Sequence, residues 1–360
     1  MNRHSDTKVI VGISGGVDSS VAANLLLKKG FKVEGLHMTN WDEDDDYCSA
    51  ADDYQVARQV CKDLKIPLHR INFSQEYRIK VFNKFLEEIS LGLTPNPDVN
   101  CNRYIKFGDF LHYASRLGAD KIATGHFARI VNSGGTYKLL KGIDPNKDQT
   151  YFLHAIKPDV LSKVLFPVGE LNKADVRKIA NDRSLPNHAR RDSTGICFIG
   201  ERPFRQFLEK YISGNEGDIE TQEGKVIGKH HGLMFYTLGQ RQGLEIGGLK
   251  EHGSEPWYVS HKDIKRNVLR VAQSRDHPSL WNKSMKTEPI HWLSENKLGN
   301  FECTVKTRYR QKDCACEVSV SKKGQTLVEF SEAVWAVTPG QYAVFYSGDE
   351  CLGGAKILST

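Results

Sequence analysis

Val9-Ile10-Val11-Gly12-Ile13-Ser14-Gly15-Gly16-Val17-Asp18-Ser19-Ser20-Val21 is the stretch on which the fold turns. Residues 9–13 form a short, near-continuous apolar run, the pattern of a strand covered on both faces. Residues 21–29 then read as a helix ended by Gly30. Between them two adjacent glycines let the backbone turn tightly, so that successive N–H groups converge on one spot. The helix N-terminus adds its positive dipole end, and Ser14, Ser19 and Ser20 add hydroxyl donors. This is an anion cradle. It lacks the lysine of the Gly-Lys-Ser/Thr nucleotide loop, and it is not Gly-x-Gly-x-x-Gly. The plainer alternative is an ordinary glycine-containing turn, which has no need of Ser-Gly-Gly-x-Asp-Ser packed into six residues.

The alternation continues outward. Residues 31–37 read as a second strand, 52–64 as a helix, and 68–72 as a third strand after Pro67. Residues 79–89 and 105–117 are amphipathic helices, and 121–124 is another strand. Strands alternating with helices predict an α/β fold with a doubly wound parallel sheet. Past residue 205, glycine-rich turns separate short segments such as Trp257-Tyr258-Val259. Farther on the pattern is β only, with strands expected at 301–306, 316–320, 326–330 and 342–346, as in a small antiparallel β-barrel. The expected organisation is a catalytic domain over 1–204, a small central domain over 205–284 and a C-terminal antiparallel β-barrel over 285–360.

Composition agrees. The 360 residues are 39% hydrophobic and 26% charged, with 31 glycines and 12 prolines, which describes a globular chain too long for one ordinary core. No run reaches the roughly eighteen apolar residues of a membrane span. The first eight residues are polar and lack the apolar stretch and cleavage site of a signal peptide, so a cytoplasmic protein with no membrane partner is expected. Fifty Lys and Arg against 44 Asp and Glu leave a charge of +6, which permits a polyanionic partner without demanding one. Eight cysteines are too sparse for a disulfide scaffold, so any that matter should be catalytic or metal-binding.

Two cysteines stand in reactive surroundings. Cys101 follows Thr94-Pro95-Asn96-Pro97-Asp98-Val99-Asn100, a run of turn formers that opens a helix, with Arg103 close by. A helix N-terminus and a guanidinium both favour thiolate. Asp98 is placed for proton handling or for contact with a polar substrate. Cys197 lies among Arg190, Arg191, Ser193, Thr194, Gly195 and Arg202. Cys61, Cys303 and Cys351 read as small buried hydrophobes. Cys314 and Cys316 lack neighbours to complete four zinc ligands, and Cys48 falls in a loop. The acidic run at 42–46 reads as a solvated loop, which leaves Asp18 the better candidate for a metal or positioning role. Lys306, Arg308, Arg310 and Lys312 alternate along a predicted strand, four cations on one face with Tyr309 opposite. A solvated face and a nucleic-acid platform fit that pattern equally, and the small barrel tilts the reading toward RNA. His230 and His231 read as surface residues.

The glycine–serine loop resembles the pyrophosphate loop of the ATP-pyrophosphatase superfamily, whose members split ATP between the α and β phosphates and leave an adenylated substrate. Four further blocks follow in order. They are Pro97-Asp98-Val99-Asn100-Cys101-Asn102-Arg103-Tyr104-Ile105-Lys106-Phe107, Thr124-Gly125-His126-Phe127-Ala128-Arg129, Lys147-Asp148-Gln149-Thr150-Tyr151-Phe152-Leu153 and Ser193-Thr194-Gly195-Ile196-Cys197-Phe198-Ile199-Gly200-Glu201-Arg202. Together they closely resemble the tRNA-specific 2-thiouridylases, essentially end to end and with no departure at a motif position.

That resemblance implies thiolation at C2 of the wobble uridine in the tRNA anticodon loop. It implies ATP and Mg²⁺ as cofactors and a persulfide sulfur-donor protein as a second partner. Gly12, Ile13, Ser14, Gly15, Gly16, Val17, Asp18 and Ser19 would hold the ATP phosphates, with Met38 and Gly125 on the adenine side. Cys101 would be the nucleophile and Cys197 the persulfide carrier. Asn96, Pro97 and Asp98 would meet the target base. His126, Lys147, Asp148, Gln149, Arg308, Tyr309 and Gln341 would touch tRNA. Adenylation makes a poor leaving oxygen depart as AMP. Cys101 then either attacks the persulfide to free sulfide or takes up the bond as a Cys101–Cys197 disulfide.

Three rivals share parts of this pattern. An amide- or amine-forming synthetase with the same loop leaves both cysteines without a role. A non-catalytic RNA-binding protein has no need of an intact Ser-Gly-Gly-Val-Asp-Ser. An iron–sulfur thiolase carries Cys-x-x-Cys pairs, and this chain has none.

Overall fold

Strand β1 (Lys8–Gly12) is apolar on both faces, and the two faces enter different cores. Ile10 packs with Leu36 and Ile122, whereas Val9 and Val11 pack with Val21, Leu26 and Val60. A sheet with helices on both sides requires this. The computed structural model describes residues 4–41, 50–192, 197, 203–246, 255–293 and 297–360. The acidic run at 42–46, Cys48 and the residues flanking Cys197 at 193–196 and 198–202 lie outside the described residues.

After β1 come α1 (Val17–Lys28), β2 (Lys32–Thr39), α2 (Ala50–Leu64), β3 (Leu68–Asn72), α3 (Ser74–Tyr77), a π-helical turn (Arg78–Phe82) and α4 (Asn83–Ser90). Then follow α5 (Pro97–Asn100), a π-helix (Cys101–Asp109), α6 (Phe110–Arg116), β4 (Lys121–Ala123), the hairpin β5 (Ala128–Ser133) and β6 (Thr136–Lys141), α7 (Thr150–Leu153), β7 (Val164–Leu165) and α8 (Lys173–Asp182). The sheet order is β3-β2-β1-β4-β7, every pair parallel. The chain winds from β1 out to β3 and then returns to place β4 on the other side of β1. The carboxyl ends of β1 and β4 form the topological switch point, where such sheets bind ligands. The glycine–serine loop follows β1 there, and Thr124 to Phe127 follow β4.

Helix α9 (Phe204–Glu209) leads to β8 (Gly217–Glu220), β9 (Val226–His230), β10 (Trp257–Asp263) and β11 (Val268–Gln273). These make a sheet of order β10-β11-β8-β9 around Ile219, Val259, Leu269 and Val271. His230, expected at the surface, is buried here. Its Nε2 donates to the Asn267 carbonyl at 3.1 Å, and its Nδ1 accepts from the Gly232 amide at 3.0 Å.

The remaining strands are β12 (Trp281–Thr287), β13 (His291–Trp292), β14 (Gly299–Lys306), β15 (Cys314–Val320), β16 (Thr326–Trp335), β17 (Tyr342–Ser347) and β18 (Glu350–Ser359). Six of them pair antiparallel in the order β12-β16-β15-β14-β17-β18, and β18 pairs back to β12. The barrel is closed, which removes its edges. Hairpin β5–β6 adds to it through Leu140 opposite Glu350, so the first unit and the barrel share a sheet. The predicted strand through Lys306, Arg308, Arg310 and Lys312 is a correction. Strand β14 ends at Lys306, residues 307–313 turn, and Arg310 has a left-handed φ of 64°. No common cationic face results. Among the described residues, no helix is long and apolar enough to cross a membrane.

Candidate active site

The loop after β1 is built to hold an anion. Gly15 has φ +83° and Gly16 caps α1 with no side-chain bond, so the first-turn amides of α1 face outward. Ser19 Oγ donates to the Gly16 carbonyl at 3.0 Å and lies 3.3 Å from Ser14 Oγ, which keeps the hydroxyls clustered. His37 Nδ1 donates to the Ile13 carbonyl at 2.8 Å, and burial holds its pKa low, so the ring is a neutral anchor. Asn187 Nδ2 donates to Gly15 O at 2.8 Å and Ser20 Oγ at 2.9 Å. Arg190, which sequence reasoning put near Cys197, pairs instead with Asp53 behind the loop.

Gly125 sits against this loop, where a Cβ would lie 2.6 Å from the Ser19 nitrogen and 2.7 Å from the Asp18 carbonyl carbon. Met38, next to last in β2, lies beside Gly12, its Cε 4.0 Å from where a Cβ there would be. The structure thus brings together Gly12 through Ser19, Met38 and Gly125. It adds Lys173 at the start of α8, whose Nζ reaches Asp18 Oδ1 at 2.7 Å and Asp192 Oδ1 at 2.8 Å. Lys147 Nζ and Arg177 Nη2 also meet Asp192, each at 2.7 Å. Three cations and two carboxylates thus stand beside the loop. Burial outweighs Lys173 at Asp18 and lifts that carboxyl above its usual range. At Asp192 burial works in the same direction, but hydrogen bonds from Lys147 and Lys173 overcome it and hold the group down to about 2.

The cysteines meet at a second focus. The one-turn helix α5 begins with Pro97, its fixed φ suited to the first helical position. It presents Asp98, whose Oδ1 accepts the Cys197 amide at 3.0 Å. Tyr77 donates to the Cys197 carbonyl at 2.8 Å. Cys101, fully buried, lies close enough to Cys197 for each thiol to act on the other's ionisation. At Cys101 the outcome is the opposite of the thiolate that its sequence neighbours suggested. Cys101 continues out of α5 rather than starting a helix, and Arg103 lies over Tyr104, 5.2 Å from its ring centre. Burial therefore pushes the Cys101 thiol well up. The Cys101 S–H and the Lys106 ammonium hold Cys197 down to about 7 against its burial. Burial raises the Asp98 carboxyl, and the Cys197 N–H only partly offsets that.

The other expected contacts divide. His126 is neutral through burial, and its Nδ1 lies 2.7 Å from Thr124 Oγ1. Asp148 is buried, accepts from Gly142 and Thr150, and forms an ion pair with Lys306 at 3.5 Å. Gln149 Oε1 accepts the Phe127 amide at 2.9 Å. Tyr309 packs on Phe152 with ring centres 4.4 Å apart. Gln341 Nε2 donates to the Thr94 carbonyl at 2.8 Å, so the barrel grips the segment leading to Asn96 and Asp98. Arg308 spends its Nη2 on Leu238 O, Ala336 O and Thr338 Oγ1 at 2.6–2.7 Å, joining the central sheet to the barrel. Cys61 and Cys351 are buried as expected. Cys303 is half-buried and faces Cys316 with sulfurs 3.7 Å apart. Among the described residues, no group of three or more His, Cys, Asp or Glu could hold a metal.

An anion loop at the switch point of a doubly wound sheet defines a phosphate-loop α/β enzyme. Residues 7–201 match the model of a "tRNA methyl transferase HUP domain", 205–273 a "tRNA methyl transferase PRC-barrel domain" and 282–357 an "Aminomethyltransferase beta-barrel domain". A tRNA-specific 2-thiouridylase of Idiomarina loihiensis is 52% identical, covering 98% of this chain and 96% of that one. One from Legionella pneumophila is 55% identical, covering 97% and 98%. The chain belongs to the tRNA-specific 2-thiouridylase family.

Proposed function

We propose that this chain adenylates C2 of the wobble uridine of tRNA with ATP and replaces the activated oxygen with sulfur carried on Cys197. The observation that carries the reading is the meeting of Asp98, Cys101 and Cys197 in the same unit as the anion loop. A buried cysteine with raised proton affinity beside a half-buried one with lowered proton affinity has no task in amide synthesis and a natural one in sulfur transfer.

The loop residues Gly12 to Ser19, with Lys173 at their side, hold the triphosphate. The uracil O2 attacks the α-phosphorus and pyrophosphate leaves, so C2 carries a bound AMP. To reach this site the uridine must leave the anticodon stack, and Asn96, Pro97 and Asp98 are the residues to receive it. Asp98, with its raised proton affinity, exchanges a proton with the base. The terminal sulfur of a Cys197 persulfide attacks C2. Cys101 then gives up its proton and attacks the inner sulfur, a Cys101–Cys197 disulfide forms, and the new sulfur stays on C2 as AMP departs. A thiol reductant returns the pair to thiols. In the other route Cys101 attacks the persulfide first and frees sulfide for C2.

The donor set fits Mg²⁺ only as a companion of the nucleotide. Asp18 offers one carboxylate, already shared with Lys173, so phosphate oxygens must supply most of the coordination. When bound, the ion would offset phosphate charge. A persulfide-bearing protein is the partner that loads Cys197.

The test is to incubate bulk tRNA with the protein, ATP, Mg²⁺ and a persulfide donor, and to analyse the nucleosides by mass spectrometry. 2-Thiouridine is expected, absent with Cys197→Ser. AMP and pyrophosphate without a thionucleoside would overturn the sulfur chemistry and point to another acceptor.

A further inference from the structure

Lys106 was part of a motif but had no task. It lies in the π-helix Cys101–Asp109, where the Phe110 amide bonds to the Ile105 carbonyl five residues back. That i to i+5 winding stacks position 106 over position 101, whereas an α-helix would rotate it away. The Lys106 side chain is thereby brought to the neighbourhood of the two sulfurs, which act on its charge together with Asp98. Among the described residues, four titratable groups face Cys197. Tyr77 comes from α3, Asp98 from α5, and Cys101 and Lys106 from the π-helix, while His126, after β4, interacts with Lys106 instead. Tyr77 and His126 are held neutral by burial, and Asp98 adds negative charge. Among these groups Lys106 is the sole source of positive charge.

We propose that Lys106 is the counter-ion of the Cys197 sulfur, holding it as thiolate before sulfur loading and as terminal perthiolate afterwards. The inference rests on Cys197 being the sulfur carrier. Loading requires the thiolate to attack the outer sulfur of a donor persulfide R–S–SH, giving Cys197–S–SH and releasing R–S⁻. The perthiol proton then leaves to solvent, and the ammonium stabilises the anion that remains. Burial penalises a thiolate, and a fixed cation in contact with it reverses that penalty. Burial likewise works against the charge of Lys106, yet Cys197, Cys101 and Asp98 together raise its proton affinity. The cation therefore persists throughout the working pH range.

The test follows alkylation of Cys197 by iodoacetamide against pH, read on its own peptide by mass spectrometry. The wild-type midpoint is expected below the ordinary thiol value of about 8.5. Lys106→Met and Lys106→Gln should move it up by about one pH unit or more, and Lys106→Arg should restore it. Thermal melting identifies any variant that does not fold. A wild-type midpoint at or above the ordinary value, or an unmoved midpoint in a folded Met or Gln variant, overturns the proposal. Failure of the sulfur reading is seen separately, as wild-type protein that takes no persulfide onto Cys197 from the donor.

Discussion

The amide of Cys197 donates to Oδ1 of Asp98 at 3.0 Å, across 99 positions of sequence. One carboxylate therefore has two tasks. It fixes the backbone that carries the thiol, and on the proposed reaction it keeps a second oxygen for the incoming base.

Those tasks separate by substitution. Asp98→Asn keeps an amide oxygen for the Cys197 N–H but has no proton to exchange. Its melting temperature should stay near that of wild type while thiolation falls by about 10²- to 10⁴-fold. Asp98→Ala loses the acceptor as well and should cost a further ~1–3 kcal/mol of stability. Thionucleoside yield and thermal melting, measured on both variants, decide it. Equal activity in Asp98→Asn and wild type would remove Asp98 from the proton chemistry.

Gly125 makes a sharper steric prediction. A Cβ there meets backbone of Asp18 and Ser19, neither of which is the free end of a side chain. Gly125→Ala must push β4's exit away from α1, and overpacking of this kind typically costs ~1–3 kcal/mol. ATP–pyrophosphate exchange should fall with it, because the loop amides lose their common focus. Normal exchange at full stability would show that the close approach is dispensable.

The phosphate loop could be read from sequence because its signal is contiguous: strand, glycines, hydroxyls and helix within thirteen residues. Lys173 and Asn187 could not, since each reaches the loop from over 150 positions away and lies in no motif. Lys106 was visible as a residue but not as a participant, because its role depends on π rather than α winding. The barrel was legible at four strands. Strands β12 and β18, which close it, were hidden by Lys283, Lys286, Gly353 and Gly354. Gly353 is needed there, for a Cβ would lie 2.0 Å from the His291 carbonyl oxygen. Arg308 shows the opposite failure. An alternating charge pattern suggested one strand face, but the segment turns and the guanidinium goes inward.

Arg308→Ala removes a donor from three acceptors at once. Charged hydrogen bonds of this kind contribute ~1.5–3 kcal/mol, and two of the acceptors belong to the buried residues Ala336 and Thr338. Unfolding should therefore occur at lower denaturant than in wild type. tRNA affinity measured well below that transition tells whether Arg308 also touches RNA. Unchanged affinity means that its work is confined to joining the central sheet to the barrel. Unchanged stability would show that the three bonds contribute nothing.

Asp192 gives a pH dependence with a definite sign. Its carboxyl is held at about 2 from an ordinary 3.8, burial opposing and Lys147 and Lys173 prevailing. The folded chain therefore keeps this group ionised where the unfolded chain has begun to protonate it. Its stabilisation is fully present above the ordinary value and is lost as pH falls through the folded one. Asp192→Asn should be less stable than wild type at pH 6, since Lys147, Lys173 and Arg177 then face one another with Asp18 alone to balance them. The gap in melting temperature should narrow steadily between pH 4 and pH 2.5. Asp18 titrates in the opposite sense and is itself raised in part by Asp192, so the comparison is repeated in an Asp18→Asn background to isolate Asp192. A gap that stays constant over that range would mean that the cations at Asp192 are too well solvated to favour its charge.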